Sequence, residues 1–364
     1  MTNAMQAAIE SLLGSYRVPY IGQTLSECKA LKGSAVEGGV LRLQLQFGLP
    51  VVSLVERLKA ELEPQLLAMA GVEAVEWQVG SKIVAHQAQK NMKSMAQVRN
   101  IVAVASGKGG VGKSTTTVNL ALALAAEGAR VGILDADIYG PSQGLLLGIG
   151  PGQRPITEDN MMRPITAYGV QAMSMSFLID EDQPMVWRGP MVSGALQQLL
   201  TQTGWEDVDY LFVDMPPGTG DIQLTLSQKV PVTGAVIVTT PQDIALLDAR
   251  KGIEMFRKVE IPVLGIVENM SLHICSQCGH SEPIFGEGGG QKIAAAYDTD
   301  LLGKLPLTLA IRQQADAGAP IVASDPDSDV ARYYRDIALE IAARLARRGK
   351  NYANLFPEIV VQND

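Results

Sequence analysis

The run Gly107-Lys108-Gly109-Gly110-Val111-Gly112-Lys113-Ser114, followed by Thr115, carries the most specific chemistry in the chain. It fits G-x-x-x-x-G-K-S/T, in which glycines let successive backbone N–H groups turn inward around an anion. Lys113 then reaches the β- and γ-phosphates of a nucleotide, and the Ser114 hydroxyl binds magnesium. The same residues contain Gly107-x-Gly109-x-x-Gly112, the dinucleotide fingerprint, and Asp135 stands near the spacing of a ribose-binding acid. A dinucleotide loop has no use for a lysine and a hydroxyl at 113 and 114, so the phosphate-loop reading prevails. Lys108 is an extra lysine that the basic pattern does not require.

Acids follow in the order such a site needs. Leu134-Asp135-Ala136-Asp137 places two carboxylates at i and i+2, and Tyr210-Leu211-Phe212-Val213-Asp214 is four apolar residues and then an acid. At strand ends these groups can serve magnesium and an attacking water. Asp135 is expected to position magnesium or water, Asp137 to activate water, and Asp214 to help hold magnesium through water. Met215-Pro216-Pro217-Gly218-Thr219-Gly220-Asp221 reads as a switch loop that senses the γ-phosphate. The amide of Asn269 can pair with adenine through one donor and one acceptor, or can simply serve a turn.

Cys275-Ser276-Gln277-Cys278-Gly279-His280 is a C-x-x-C pair, a spacing at which both thiolates reach one metal. Two thiolates complete neither a tetrahedral site nor a four-cysteine cluster. His280 could join, or two subunits could each supply Cys275 and Cys278. Zinc and an iron–sulfur cluster both suit thiolate ligands, and from the chemistry alone a zinc knuckle is favoured over a lightly held surface cluster.

These residues need elements to hold them. Apolar runs at 101–105, 131–134, 170–173, 210–213, 234–239 and 262–267 alternate with helical patterns, including 114–127. Such runs suit strands buried on both faces of a parallel sheet covered by helices, a doubly wound α/β unit. Its last helix is predicted at 329–347, with Gly349 closing it. Ahead of it, residues 1–85 predict a small α+β domain in the order α-β-β-α-β. Its strands are expected at 24–32, 39–47 and 72–84, its helices at 4–13 and 52–69. Residues 86–99 read as a linker, 100–350 as the P-loop domain and 351–364 as a tail.

Composition removes several classes. With 364 residues, 47% of them hydrophobic, the chain can build two cored domains. A net charge of −8 without a basic stripe disfavours nucleic acid. No run of about 18 apolar residues offers a membrane span, and the N-terminus lacks a signal-peptide pattern, so the cytoplasm is expected. Three cysteines, Cys28, Cys275 and Cys278, are a poor disulfide framework for this length.

The G-K-G-G-V-G-K-S form resembles the deviant Walker A of the MinD/ParA/nitrogenase-iron-protein ATPases. That resemblance implies a homodimer in which Lys108 reaches the nucleotide of the facing subunit, and it favours ATP at Asn269. Three further segments narrow it: 135–142, Asp-Ala-Asp-Ile-Tyr-Gly-Pro-Ser; 213–221, Val-Asp-Met-Pro-Pro-Gly-Thr-Gly-Asp; and Cys275-x-x-Cys278. With Trp187-Arg188-Gly189-Pro190 and Val267-Glu268-Asn269-Met270-Ser271, residues 95–345 resemble the Mrp/ApbC iron–sulfur cluster carrier ATPases. That family implies a cytosolic homodimer that binds a 4Fe–4S cluster through the paired cysteines and passes it to apoproteins, linked to ATP, with cluster assembly proteins as further partners. Arg188 would lie near the interface or the nucleotide, or simply sit in a surface turn.

Residues 1–85 resemble the MIP18-type domain. Tyr16-Arg17-Val18-Pro19-Tyr20 stands where relatives carry an acidic turn, and Phe47-Gly48-Leu49-Pro50 lacks their cysteine. This domain is therefore expected to recruit or regulate rather than bind metal, with Cys28 an ordinary half-buried residue. Two rivals remain: a ParA/MinD-like positioning ATPase on membrane or DNA, and an ATPase with a structural zinc. The first has no need of Cys275 and Cys278, and the acidic, proline-containing end of the chain suits a membrane anchor poorly.

Overall fold

The computed structural model describes residues 3–86, 88, 92, 95–150, 152–178 and 189–348. In the N-terminal part, α1 (Asn3–Ser15) and α2 (Val52–Leu67) pack on a sheet ordered β1 (Leu31–Glu37), β2 (Val40–Phe47), β3 (Ala74–Ser81). β2 buries Leu41, Leu43, Leu45 and Phe47 and exposes Arg42, Gln44 and Gln46, as strand alternation requires. α2 buries Leu54, Leu58, Leu62 and Leu66, one leucine per turn. Each such side chain contributes about 1.5–3 kcal/mol by leaving water, so this stripe holds the helix to the sheet.

One expected strand is displaced. Residues 24–32 were predicted extended, yet β1 starts only at Leu31. Thr24 and Glu27 exchange bonds, Thr24 N–H to Glu27 Oε2 at 2.7 Å and Glu27 N–H to Thr24 Oγ1 at 3.1 Å. This is the reciprocal pattern of a capping box, and it turns the chain before it can extend.

The larger part is built on eight strands. In chain order they are β4 (Val98–Ala105), β5 (Val131–Asp135), β8 (Ile165–Ala167), β9 (Val170–Ser174), β10 (Val208–Asp214), β11 (Gly234–Thr239), β12 (Val263–Glu268) and β15 (Leu301–Lys304). Their spatial order is β15-β12-β11-β4-β10-β5-β9-β8, parallel except for β8 against β9. A hairpin, β6 (Thr157–Glu158) with β7 (Met161–Met162), precedes β8. Every residue of β10 and β11 is buried, the condition for strands covered on both faces. Around them run α3 (Lys113–Ala126), α4 (Gln143–Leu146), α5 (Gly189–Thr201), α6 (Asp221–Lys229), α7 (Asp243–Lys258), α8 (Gly289–Ala296), α9 (Leu309–Asp316), α10 (Ile321–Ser324) and α11 (Asp329–Ala346). Ser328 caps α11, its hydroxyl accepting the Ala331 N–H. Chain direction from β4 diverges to both sides of the sheet, so the carboxyl ends of β4, β10 and β5 form the crevice where such sheets bind ligands.

The two parts meet at the far end of α3. Glu127 is buried and accepts the Ser53 N–H at 2.8 Å and the Ser53 hydroxyl, with Arg335 of α11 at 3.5 Å. α2 has no side-chain cap of its own, so a carboxylate from the other part satisfies its first turn. Tyr20 donates to Asp336 at 2.7 Å beside this contact. β4 begins at Val98, within the stretch expected as linker, and His86 is buried against Asn100. Gly349 and residues 351–364 lie outside the described residues. No helix among those described is long and apolar enough to cross a membrane.

Candidate functional site

The loop from Gly107 to Gly112 joins β4 to α3, as the phosphate pattern requires. Gly110 and Gly112 both have φ of +80°, a conformation that side chains resist. Gly107 is held for another reason: a Cβ there would meet the Asp248 backbone of α7 at 2.2 Å. At Gly109 and Gly110 a Cβ would meet nothing within 4 Å, so the loop is open at its tip. Helix α3 starts at Lys113 and adds the partial positive charge of its N-terminus. Ser114 and Thr115 stand in its first turn.

Lys113 is 6% exposed, and its Nζ lies 2.5 Å from Oδ1 of Asp214, 3.2 Å from Ser114 Oγ and 3.9 Å from Oδ2 of Asp137. Asp214, at the end of β10, is fully buried and also accepts from Thr117 Oγ1 at 3.2 Å and Gln143 Nε2 at 2.9 Å. A buried ammonium and carboxylate are tolerable only when paired and fully bonded in this way. The structure thus brings Lys113, Ser114, Asp137 and Asp214 together from three strand ends.

Asp135 faces elsewhere. Its Oδ2 accepts the N–H groups of Ser142 and Gln143 at 2.9 and 3.0 Å and the Ser174 hydroxyl at 3.2 Å, and its Oδ1 accepts the Asp137 N–H at 3.1 Å. Both oxygens are engaged in shaping the loop that carries Asp137. Burial, and next the charge of Asp214, push the Asp135 carboxyl up to about 7. Burial also raises Asp137, against the pull of Lys113.

Asn269 is likewise engaged: its Nδ2 donates to Val111 O at 2.8 Å and its Oδ1 accepts the Met270 N–H at 2.9 Å. The amide braces the phosphate loop, and the second Nδ2 hydrogen and second Oδ1 lone pair are what it has left for an adenine. Lys108 makes no ion pair or side-chain hydrogen bond among the described residues, though its carbonyl accepts from Ser106 Oγ. Gln143 was missed by the sequence reading. It ties Asp214 to Ser114 O while its own Oε1 is buried without a partner among the described residues. The polar pair Ser142-Gln143 directly after Gly140-Pro141 was the available signal. The glycine cradle, the aimed ammonium and this mix of hydroxyl, carboxylate and spare amide oxygen fit a magnesium nucleotide.

The cysteines lie at the tip of a small antiparallel hairpin, β13 (His273–Ile274) with β14 (Ser281–Glu282). Cys275 N–H donates to His280 O, and Gly279 N–H to Cys275 O, both at 2.9 Å. The backbone N–H groups of Gln277 and Cys278 turn toward the Cys275 sulfur and lower its thiol pKa, which favours the thiolate. Cys278 is exposed. His280 instead lies 4.0 Å from Glu282, and no group of three or more His, Cys, Asp or Glu positioned for a metal occurs among the described residues. Cys28 is half-buried in the N-terminal part, its thiol raised by burial. Trp187 and Arg188 lie outside the described residues.

Residues 97–342 match the family described as NUBPL iron-transfer P-loop NTPase, and residues 6–77 match that described as iron–sulfur cluster assembly protein. An iron–sulfur cluster carrier protein of Escherichia coli K12 is 52% identical over 348 residues, 95% of this chain and 94% of that protein. One from Pseudomonas fragi is 63% identical over 279 residues, covering 76% and 97%. A nucleotide-binding protein of Archaeoglobus fulgidus in complex with ADP superposes with a TM-score of 0.57 at 35% identity, covering 65% of this chain and 93% of that one. The cell division ATPase MinD of Pyrococcus furiosus, TM-score 0.51 and 24% identity over 66% and 98%, shares the fold. The chain therefore belongs to the NUBPL-type iron-transfer P-loop NTPases, within the ParA-like group, with a small iron–sulfur assembly domain at its N-terminus.

Proposed function

We propose that this chain binds and hydrolyses ATP and carries an iron–sulfur cluster, of the 4Fe–4S type, to apo client proteins. One observation carries the reading: a phosphate loop and a two-thiolate knuckle, half-buried at Cys275 and exposed at Cys278, occur in one chain, and the knuckle gathers no third ligand among the described residues. Two facing copies supply Cys275 and Cys278 twice, the four thiolates such a cluster takes. The cluster is then cargo shared across a homodimer. Lys108, without an ion pair or side-chain hydrogen bond among the described residues, is the residue to reach the nucleotide of the facing copy. Relatives named as cluster carriers, similar over nearly the whole chain, support the assignment.

In the nucleotide site the N–H groups of 107–112 orient the phosphates, Thr115 adds a hydroxyl, and Lys113 exchanges Asp214 for phosphate oxygens. Ser114 and Asp214, the latter through water, would hold magnesium, which when bound neutralises charge at the β- and γ-phosphates. Asp135 supports the ion or its water through the loop it shapes, and Asp137 accepts the proton of the attacking water. Asn269 is the candidate for adenine. Turnover is expected to be slow and regulatory.

The test is anaerobic reconstitution with iron and sulfide, an absorption spectrum, and transfer to an apo-enzyme, with Cys275→Ala as control. A cluster lost in the variant supports the reading. Tightly bound zinc without a cluster rejects it.

A further inference from the structure

The switch loop runs directly into α6, and the third residue of that helix, Gln223, is 2% exposed. Its Oε1 and Nε2 are both buried, and neither has a hydrogen-bond partner among the described residues. A buried polar group without a partner has given up its bonds to water for nothing, so this amide burdens the fold unless something else pairs with it. The side chain lines a cleft of about 440 Å³. Asp137 and Tyr139 line it from one loop, and Pro216, Pro217 and Ile222 from the other. Asp137 connects the cleft to the phosphate site, its Oδ2 lying 3.9 Å from Lys113 Nζ. Gly218 N–H donates to Ser106 O at 3.0 Å, which holds the switch loop, and so the start of α6, against the phosphate loop. Asp221 also lines the cleft, and the Gln223 amide is the buried polar group of this lining left unpaired among the described residues; its two atoms are closed to water here, so meeting one requires the start of α6 to shift.

We propose that Gln223 is the second hydrogen-bond partner of the water that attacks the γ-phosphate, orienting it while Asp137 takes its proton. This rests on the hydrolysis reading above. In the step, the water oxygen bonds to the γ-phosphorus as the bond from that phosphorus to the bridging oxygen breaks, its electron pair leaving on ADP. One water proton passes to Asp137 and on to solvent, and the other stays on the inorganic phosphate. Gln223 exchanges no proton. Its Oε1 accepts from the water and its Nε2 donates to a γ-phosphate oxygen, so its contribution is orientation.

Gln223→Met keeps the length and bulk of the side chain and removes both hydrogen-bonding groups. The full chain and this variant are compared for ATP turnover with magnesium, for ADP affinity by calorimetry and for thermal midpoint, with Asp137→Asn as reference. The expected result is a kcat lower by about ten-fold or more, with KM and ADP affinity held within about two-fold. The midpoint should stay or rise, because an unpaired buried amide has become apolar. A packing residue would lose midpoint, affinity and turnover together; that pattern, or a kcat equal to that of the native chain, overturns the assignment. If the native chain does not hydrolyse ATP, the hydrolysis reading falls and this inference with it. If the native chain turns over, Asp137→Asn does not and Gln223→Met does, only the role of Gln223 falls.

Discussion

The phosphate site and the cysteine knuckle differ in how they are made. Lys113 and Asp214 stand 101 residues apart in sequence, meet at 2.5 Å and are shielded from water. Cys275 and Cys278 lie within a ten-residue hairpin, the first half-buried and the second exposed. The first site is finished by tertiary packing, with each charge answered inside one chain. The second is local and holds two ligands where metals and clusters take four. A site whose buried charges one chain answers suits a bound nucleotide, to which the proposed facing copy adds only Lys108, and a half-site suits cargo that must be shared and released.

The largest effect should come from breaking the buried pair. Lys113→Met leaves Asp214 an uncompensated buried charge, and the expected loss is about 3–5 kcal/mol of stability together with nucleotide binding. Denaturant titration and calorimetry read the two losses, and a variant that keeps full stability would mean the pair is not the internal hinge of the site. Next, Cys278→Ala should abolish cluster retention while changing stability by less than about 0.5 kcal/mol, because the side chain is exposed and local. ADP affinity should not move; if it does, the two sites are not built independently. A smaller effect is expected at the contact between the two parts of the molecule. Ser53→Ala removes both the hydroxyl bond to Glu127 and part of the hold on α2, at a cost of about 1 kcal/mol, readable by denaturant unfolding with nucleotide affinity unchanged.

The mildest test is chemical. Backbone N–H groups favour the Cys275 thiolate, whereas burial disfavours that of Cys28. A lowered thiol pKa means thiolate already present at lower pH, and a raised one means thiolate only at higher pH. With iodoacetamide near neutral pH, mass spectrometry should find Cys275 modified first and Cys28 last, with Cys28 catching up as pH rises. Early labelling of Cys28 would remove the contrast between a poised and a packed thiol.

Much of this was legible from residue order. Six apolar runs anticipated six strands of the large sheet, since strands buried on both faces leave no polar alternation to confuse them. The glycines, Lys113 and the acids after apolar runs announced the phosphate site, because backbone cradles and strand-end carboxylates need particular residue types at particular spacings. The expected strand at 24–32 failed because Thr24 and Glu27 close a local turn, a short-range bond that a hydrophobic pattern does not register. Gln143 escaped because its partners, Asp214 and the Ser114 carbonyl, are remote in sequence.

Residue type and spacing by themselves determined that the chain holds nucleotide phosphates, that two thiols can share a metal, and that a small α+β unit precedes an α/β sheet. Only the tertiary structure decided which way each carboxylate turns. Asp135 and Asp137 are two residues apart on one strand end, yet one is consumed by backbone N–H groups and the other is turned toward Lys113. It also decided that Asn269 braces the phosphate loop, that Glu127 caps a helix of the other part, and that the Gln223 amide, on a cleft it shares with Asp137, is buried without a partner among the described residues. The reason is physical: spacing limits what a side chain can reach, but long-range packing selects which donors and acceptors remain for it once water is excluded.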